Sequence, residues 1–150
     1  MTRLKSLKKK DKMNKNIYAK IMLGILSLVT VFHLCIIARL IPYDIAWGGR
    51  LKNDTEMYAF ETLSLIINLF LGLILLMKGG YLKFQFSEKV INITLWAFLV
   101  IFILNTAGNI LAKTSFEKSF AFLTLLLAWL IWKILRYNPV HAASTPPDAG

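Results

Sequence analysis

Two stretches of this chain admit no charged residue, Ile21 to Ala38 and Val90 to Ala112. At about 1.5 Å per helical residue, each run is close to or beyond what a bilayer core of about 30 Å requires. A water-soluble core built from 150 residues has little room to bury two such runs and the shorter apolar stretches around them. The rest of the composition points the same way. Hydrophobic residues make up 57% of the chain and charged ones 17%, against about a quarter charged in soluble domains. The expected fold class is therefore all-α: an integral membrane four-helix bundle, antiparallel, with short loops.

Punctuation residues set the expected spans at about 18–41, 57–77, 89–112 and 116–135. Pro42 disfavours helical geometry in its predecessor and should end the first helix. The polar segment Pro42 to Glu56 with Gly48-Gly49 reads as a loop, with Tyr43, Trp47 and Tyr58 suited to the membrane–water boundary. Asn53 and Glu56 form a helix-start capping pair, Lys78 with Gly79-Gly80 closes the second helix, and Ser87 caps the third. Thr114-Ser115-Phe116-Glu117 is a T-x-x-E box that opens the fourth. That helix has a charge-free core of only Ser119 to Trp132, or about 21 Å, and Lys118 and Lys133 complete the crossing by snorkelling. A surface-lying fourth helix is the alternative; apolar residues on all its sides favour a span. Flanking this domain of residues 17–136, residues 1–16 read as a basic cytoplasmic tail and 137–150 as a disordered, Pro-, Ala- and Ser-rich tail.

Charge supplies the orientation. The net charge is +10, and eight of the eighteen Lys and Arg residues lie within the first twenty positions. With both termini inside, thirteen of the eighteen face the cytoplasm and five (Arg39, Arg50, Lys52, Lys113, Lys118) face out, as the positive-inside rule demands. The lipid bilayer is the expected partner, with anionic lipids contacting the N-terminal tail. The tail lacks the groove-reading or stacking elements of a nucleic-acid surface, so no nucleic acid is expected. The first apolar run is longer than a signal-peptide core and has no small-x-small site after it, so it reads as uncleaved.

Polar groups inside the spans supply the candidate site. Glu61, Ser64, Asn68 and Gly72 share one face of the second helix; Asn105, Gly108, Asn109 and Ala112 share one face of the third. Small and amide residues in stripes pack membrane helices closely, so these two helices are expected to face each other or a shared interior. The first helix adds Ser27, Thr30 and His33, with Arg39 near its end. Two readings of the cluster His33, Arg39, Glu61, Asn68, Asn105 and Asn109 compete. In the structural one, Glu61 and Arg39 reach toward the headgroups while His33 and the amides tie helices together. In the functional one, His33 and Glu61 form a protonatable pair with Arg39 as counter-ion or anion contact. Asp44, Trp47 and Arg50 form a candidate site in the outer loop, and Asp44 and Arg50 with Glu61 frame a third reading as a membrane enzyme with an outward-facing site.

Familiar chemistry is missing. His33, His141 and the lone Cys35 cannot make a zinc site of usual spacing, and no Gly-rich phosphate loop or Ser/His/Asp arrangement stands out. No metal, cofactor or enzymatic activity is expected.

The stretch Ile41-Pro42-Tyr43-Asp44-Ile45-Ala46-Trp47-Gly48-Gly49-Arg50-Leu51, followed by Glu56-Met57-Tyr58 and Glu61, resembles a set of small four-helix bacterial membrane proteins without assigned activity. The likeness covers roughly residues 17 to 136. It implies the fold and a bacterial cytoplasmic (inner) membrane, and transfers no site residue. In size the chain also resembles small multidrug-resistance transporters. Those carry their membrane glutamate in the first helix, whereas here the first helix has His33 and the acid lies in the second. The leading expectation is a non-enzymatic accessory or interaction subunit, or a homo-oligomer, acting through helix packing. The alternative is a small proton-coupled transporter or permeability factor using Glu61 and His33.

Overall fold

The structure is a computed structural model that describes residues 2–43, 51–112 and 115–136, with side chains from residue 16 onward. Four α-helices make up nearly all of the described chain, and it contains no strand. They are α1 (Thr2–Ile37), α2 (Asp54–Lys78), α3 (Glu88–Ile110) and α4 (Ser115–Arg136). Each contains a segment long and apolar enough to cross a membrane, in α1 the part Asn16–Ile37.

Local chemistry explains where the helices start and stop. α1 begins at Thr2, far before the expected residue 18, because no Gly or Pro precedes Gly24 and lysine is a good helix former. It also ends earlier than Pro42 suggests. Arg39 takes a left-handed φ of 59°, Leu40 N–H donates to the Cys35 carbonyl, and Arg39 N–H donates to the Ile36 carbonyl. That is a Schellman cap, and it closes the helix at Ile37 with arginine where glycine usually stands. The same motif ends α2, there with Gly80 at φ 74° and Tyr81 N–H donating to the Leu76 carbonyl. At the start of α2, Asn53 Oδ1 accepts from Glu56 N–H at 2.9 Å. Glu56 reaches back to Lys52 N–H at 2.8 Å, one residue earlier than a standard capping box. Ser87 Oγ accepts from Val90 N–H at the start of α3, as expected; Thr114 lies outside the described residues.

Pairs of contacts give the relative direction of neighbouring helices. His33 meets Glu61 while Leu26 meets Asn68, so α1 and α2 run oppositely. Tyr18 stacks edge-on against Trp129 and Phe32 packs on Phe120, so α1 and α4 do too. Lys78 bonds Asn92 at one end of α2 and α3, and Phe70 packs on Phe98 further along. α3 and α4 meet through Thr106 and Thr124.

The main apolar core lies toward the Lys78 end, built from Met22, Leu71, Ile74, Leu95, Ile131 and Ile134 with their neighbours. A small second cluster of Ile36, Leu51 and Met57 lies at the Arg39 end. Between the two, the α1/α2 seam turns polar. The outside is apolar as well, with Leu28 at 72% exposure and Phe122 at 73%.

Candidate functional site

The polar seam begins at the Arg39 end. The Schellman cap aims the Arg39 side chain across to the first turns of α2, where Nη2 donates to Asp54 Oδ2 at 2.5 Å and Nε to the Tyr58 hydroxyl at 3.1 Å. The hydrogen bond to Tyr58 and the Asp54 charge hold the Arg39 guanidinium above its ordinary pKa, so it is cationic throughout the accessible pH range. Both members of the Arg39–Asp54 pair are more than half exposed.

Seven residues after Asp54, or about 10 Å along the helix, Glu61 has no exposed surface. Its Oε2 lies 2.6 Å from His33 Nδ1. A contact this short needs one proton between the two atoms. Either the imidazole Nδ1–H donates to a carboxylate, or the carboxyl O–H donates to a bare Nδ1. His33 keeps 16% side-chain exposure, so the pair is sealed on the glutamate side and open on the histidine side.

Seven residues further, Asn68 is buried against α1, and its Nδ2 donates to the Leu26 carbonyl at 3.0 Å and to Thr30 Oγ1 at 2.7 Å. Thr30 in turn donates back to the Leu26 carbonyl at 2.9 Å. Beyond Asn68 the seam opens into a groove of about 270 Å³ lined by Leu26, Ser27, Leu69, Gly72, Leu73 and their neighbours. Polar side chains thus follow one seam along α2 from Asp54 to Asn68.

The candidate residues divide into those the structure joins and those it separates. His33 and Glu61 meet; Asn68 lies on the same seam but bonds α1 instead of the pair. Arg39 does not serve as counter-ion to that pair, because Asp54 and Tyr58 lie closer to the cap that directs it. Asn105 is exposed and Asn109 half-buried, and neither meets the polar stripe of α2. The two helices do meet, but through Lys78 with Asn92 and Phe70 with Phe98, away from the two stripes. The stripe of α2 is taken up by α1, and the buried polar residue of α3 is Thr106, which lies 2.8 Å from Thr124 of α4. Asp44, Trp47 and Arg50 lie outside the described residues.

Two further features belong to the helix contacts. Asp54, Glu61 and Asn68 recur at intervals of seven, a heptad spacing that marks one continuous seam with a partner helix. Lys78, only 3% exposed along its side chain, donates to Asn92 Oδ1 at 2.6 Å and to Glu88 Oε1 at 3.2 Å, tying α2 to α3. Among the described residues no three His, Cys, Asp or Glu side chains come together as a metal would need.

No protein-family model matches the chain, and comparison with curated proteins and with solved structures gives no match either. The class defined by fold and composition is an all-helical protein with four candidate membrane-spanning helices. Any further reading rests on its own residues.

Proposed function

We propose that this chain is a multi-pass protein of a bacterial cytoplasmic membrane, its four helices bundled across the bilayer with both termini in the cytoplasm. It acts as a structural or accessory subunit through helix packing. The observation that carries this reading is the use made of buried polar side chains. Glu61, Asn68, Lys78 and Thr106 each make a contact from one helix to another, which is how membrane proteins fix helix positions when lipid offers no hydrophobic drive to associate. The greasy exterior supports insertion, since among the described residues exposed large apolar side chains outnumber buried ones. Lysine and arginine bias supports the orientation. Extraction in mild detergent followed by blue-native electrophoresis and cross-linking tests the reading. Complexes with copies of itself or with other membrane proteins are expected; a strictly monomeric species without partners would refute it.

A second reading is favoured by one contact, the fully buried Glu61 against His33. An ionisable pair within candidate spans is the usual mark of proton handling in transporters. In that reading the chain is a small proton-coupled transporter or permeability factor, with His33 as the exposed member exchanging protons with the seam. Proton flux in proteoliposomes that is abolished by Glu61→Gln would support it, and flux unchanged by that substitution would remove it.

A further inference from the structure

Asn68 is 8% exposed, and both amide hydrogens are used, one on the Leu26 carbonyl and one on Thr30 Oγ1. Because a carbonyl oxygen can only accept, the Leu26 contact fixes which amide atom is nitrogen. Asn68 Oδ1 therefore points the other way, and among the described residues no donor reaches it. No fully buried side-chain nitrogen or oxygen lacks a partner, so this acceptor keeps its residual exposure. Asn68 itself lines the α1/α2 groove.

The groove suits close approach by another helix. A Cβ built on Gly72 would meet nothing within 4 Å, and the same holds at Gly24, one turn before Ser27 on α1. Ser27 lines the same groove. Its hydroxyl donates to its own Leu23 carbonyl at 2.9 Å, a local bond it can exchange for an outside acceptor by rotating. Asn68 lies beside Leu26 and Thr30, so Ser27 and Asn68 share one depth, near the middle of both candidate spans.

We infer that this groove is the face through which two copies of the chain pair, with Ser27 of each copy donating to Asn68 Oδ1 of the other. The inference rests on the reading of the protein as a membrane subunit acting through helix packing. Two-fold pairing about an axis along the membrane normal brings equal depths together, and an isologous contact then makes the same hydrogen bond twice. An acyl chain fills the groove without satisfying the acceptor, because it carries no donor. A second copy carries its donor at the required depth, and glycine and serine allow the backbones to approach as small-residue membrane contacts do.

Single cysteines test the geometry in a Cys35→Ala background of the full chain, in native membranes under mild oxidation. Leu69→Cys and Leu73→Cys, which line the groove without taking part in the hydrogen bond, are expected to cross-link, while Asn105→Cys on α3 is not. Gly72→Leu fills open space within one chain and should lower the Leu73→Cys cross-linked fraction about tenfold. Asn68→Leu should do the same, and Gly72→Leu remains informative if that variant folds poorly. Cross-linking only through Asn105→Cys, or a cross-linked fraction unchanged by Gly72→Leu, would overturn this interface and leave the subunit reading standing. A chain that co-purifies with other membrane proteins but never with itself would have the same effect, whereas a monomer without any partner would overturn both.

Discussion

His33 Nδ1 and Glu61 Oε2 stand 2.6 Å apart across the α1/α2 seam, with the glutamate buried and the histidine partly open. One proton between them makes the pair a single energetic unit. Removing either member should therefore lose most of what removing both loses. A double-mutant cycle with His33→Ala and Glu61→Ala, measured by denaturation in mixed micelles, should give a coupling of about 1–2 kcal/mol, at the upper end for interhelical polar contacts in membranes. Coupling indistinguishable from zero would show that the contact contributes nothing to holding α1 on α2.

Asn68 makes two donations to α1, and they are unequal in what depends on them. Asn68→Leu keeps the branched outline of the side chain and loses both, so it should destabilise by about 1–2 kcal/mol. Thr30→Val removes one acceptor while leaving the Leu26 carbonyl in place, so its cost should be about half as large. The same denaturation assay ranks them. Equal costs would mean that the threonine, and not the carbonyl, anchors the amide.

Arg39 occupies a left-handed position that suits glycine, and its guanidinium reaches Tyr58 and Asp54 from there. Arg39→Ala loses the side-chain contacts and keeps the backbone strain, whereas Arg39→Gly loses the contacts and relieves the strain. The glycine variant should melt at the higher temperature of the two. The raised guanidinium pKa means this side chain's contribution is fully present below its ordinary value and lost only as pH rises through the folded-state value. Between about pH 5 and 9 the arginine therefore adds no pH dependence, while added salt should narrow the gap between wild type and Arg39→Gly. At the matching cap on α2, Gly80→Ala meets no steric contact and should cost only the left-handed strain, about 1 kcal/mol.

The four helices were legible because charge-free runs and cap residues are properties of short stretches. Asn53 and Ser87 cap where their side chains predict. The polar face of α2 was legible for the same reason, through the spacing of Glu61, Ser64, Asn68 and Gly72. Which helix that face meets was not, since periodicity assigns a face to a helix and says nothing of its neighbour. α3 shows the difficulty most clearly. It is apolar on every side, so Asn105 and Thr106 are equally plausible inward residues by pattern, and only packing against α4 selects Thr106. The end of α1 is hidden for a different reason: Pro42 is a conspicuous signal, while a Schellman cap with arginine at its left-handed position carries none.

Lys78 gives the sharpest ranking among the ties. Its ammonium is almost fully enclosed and reaches Asn92 at 2.6 Å and Glu88 at 3.2 Å. Charge alone would make Glu88 the important partner. Exposure argues the opposite, because Glu88 is 58% exposed on its side chain and its attraction is screened by solvent, whereas half-buried Asn92 supplies the shorter bond. Glu88→Gln should therefore cost no more than about 0.5–1 kcal/mol, and Asn92→Leu about 1.5–3 kcal/mol, as expected for a hydrogen bond to a charged group. Raising the salt concentration should erase the first difference and leave the second. If Glu88→Gln proves the more damaging variant, the α2–α3 junction is held by a salt bridge, and the amide is incidental.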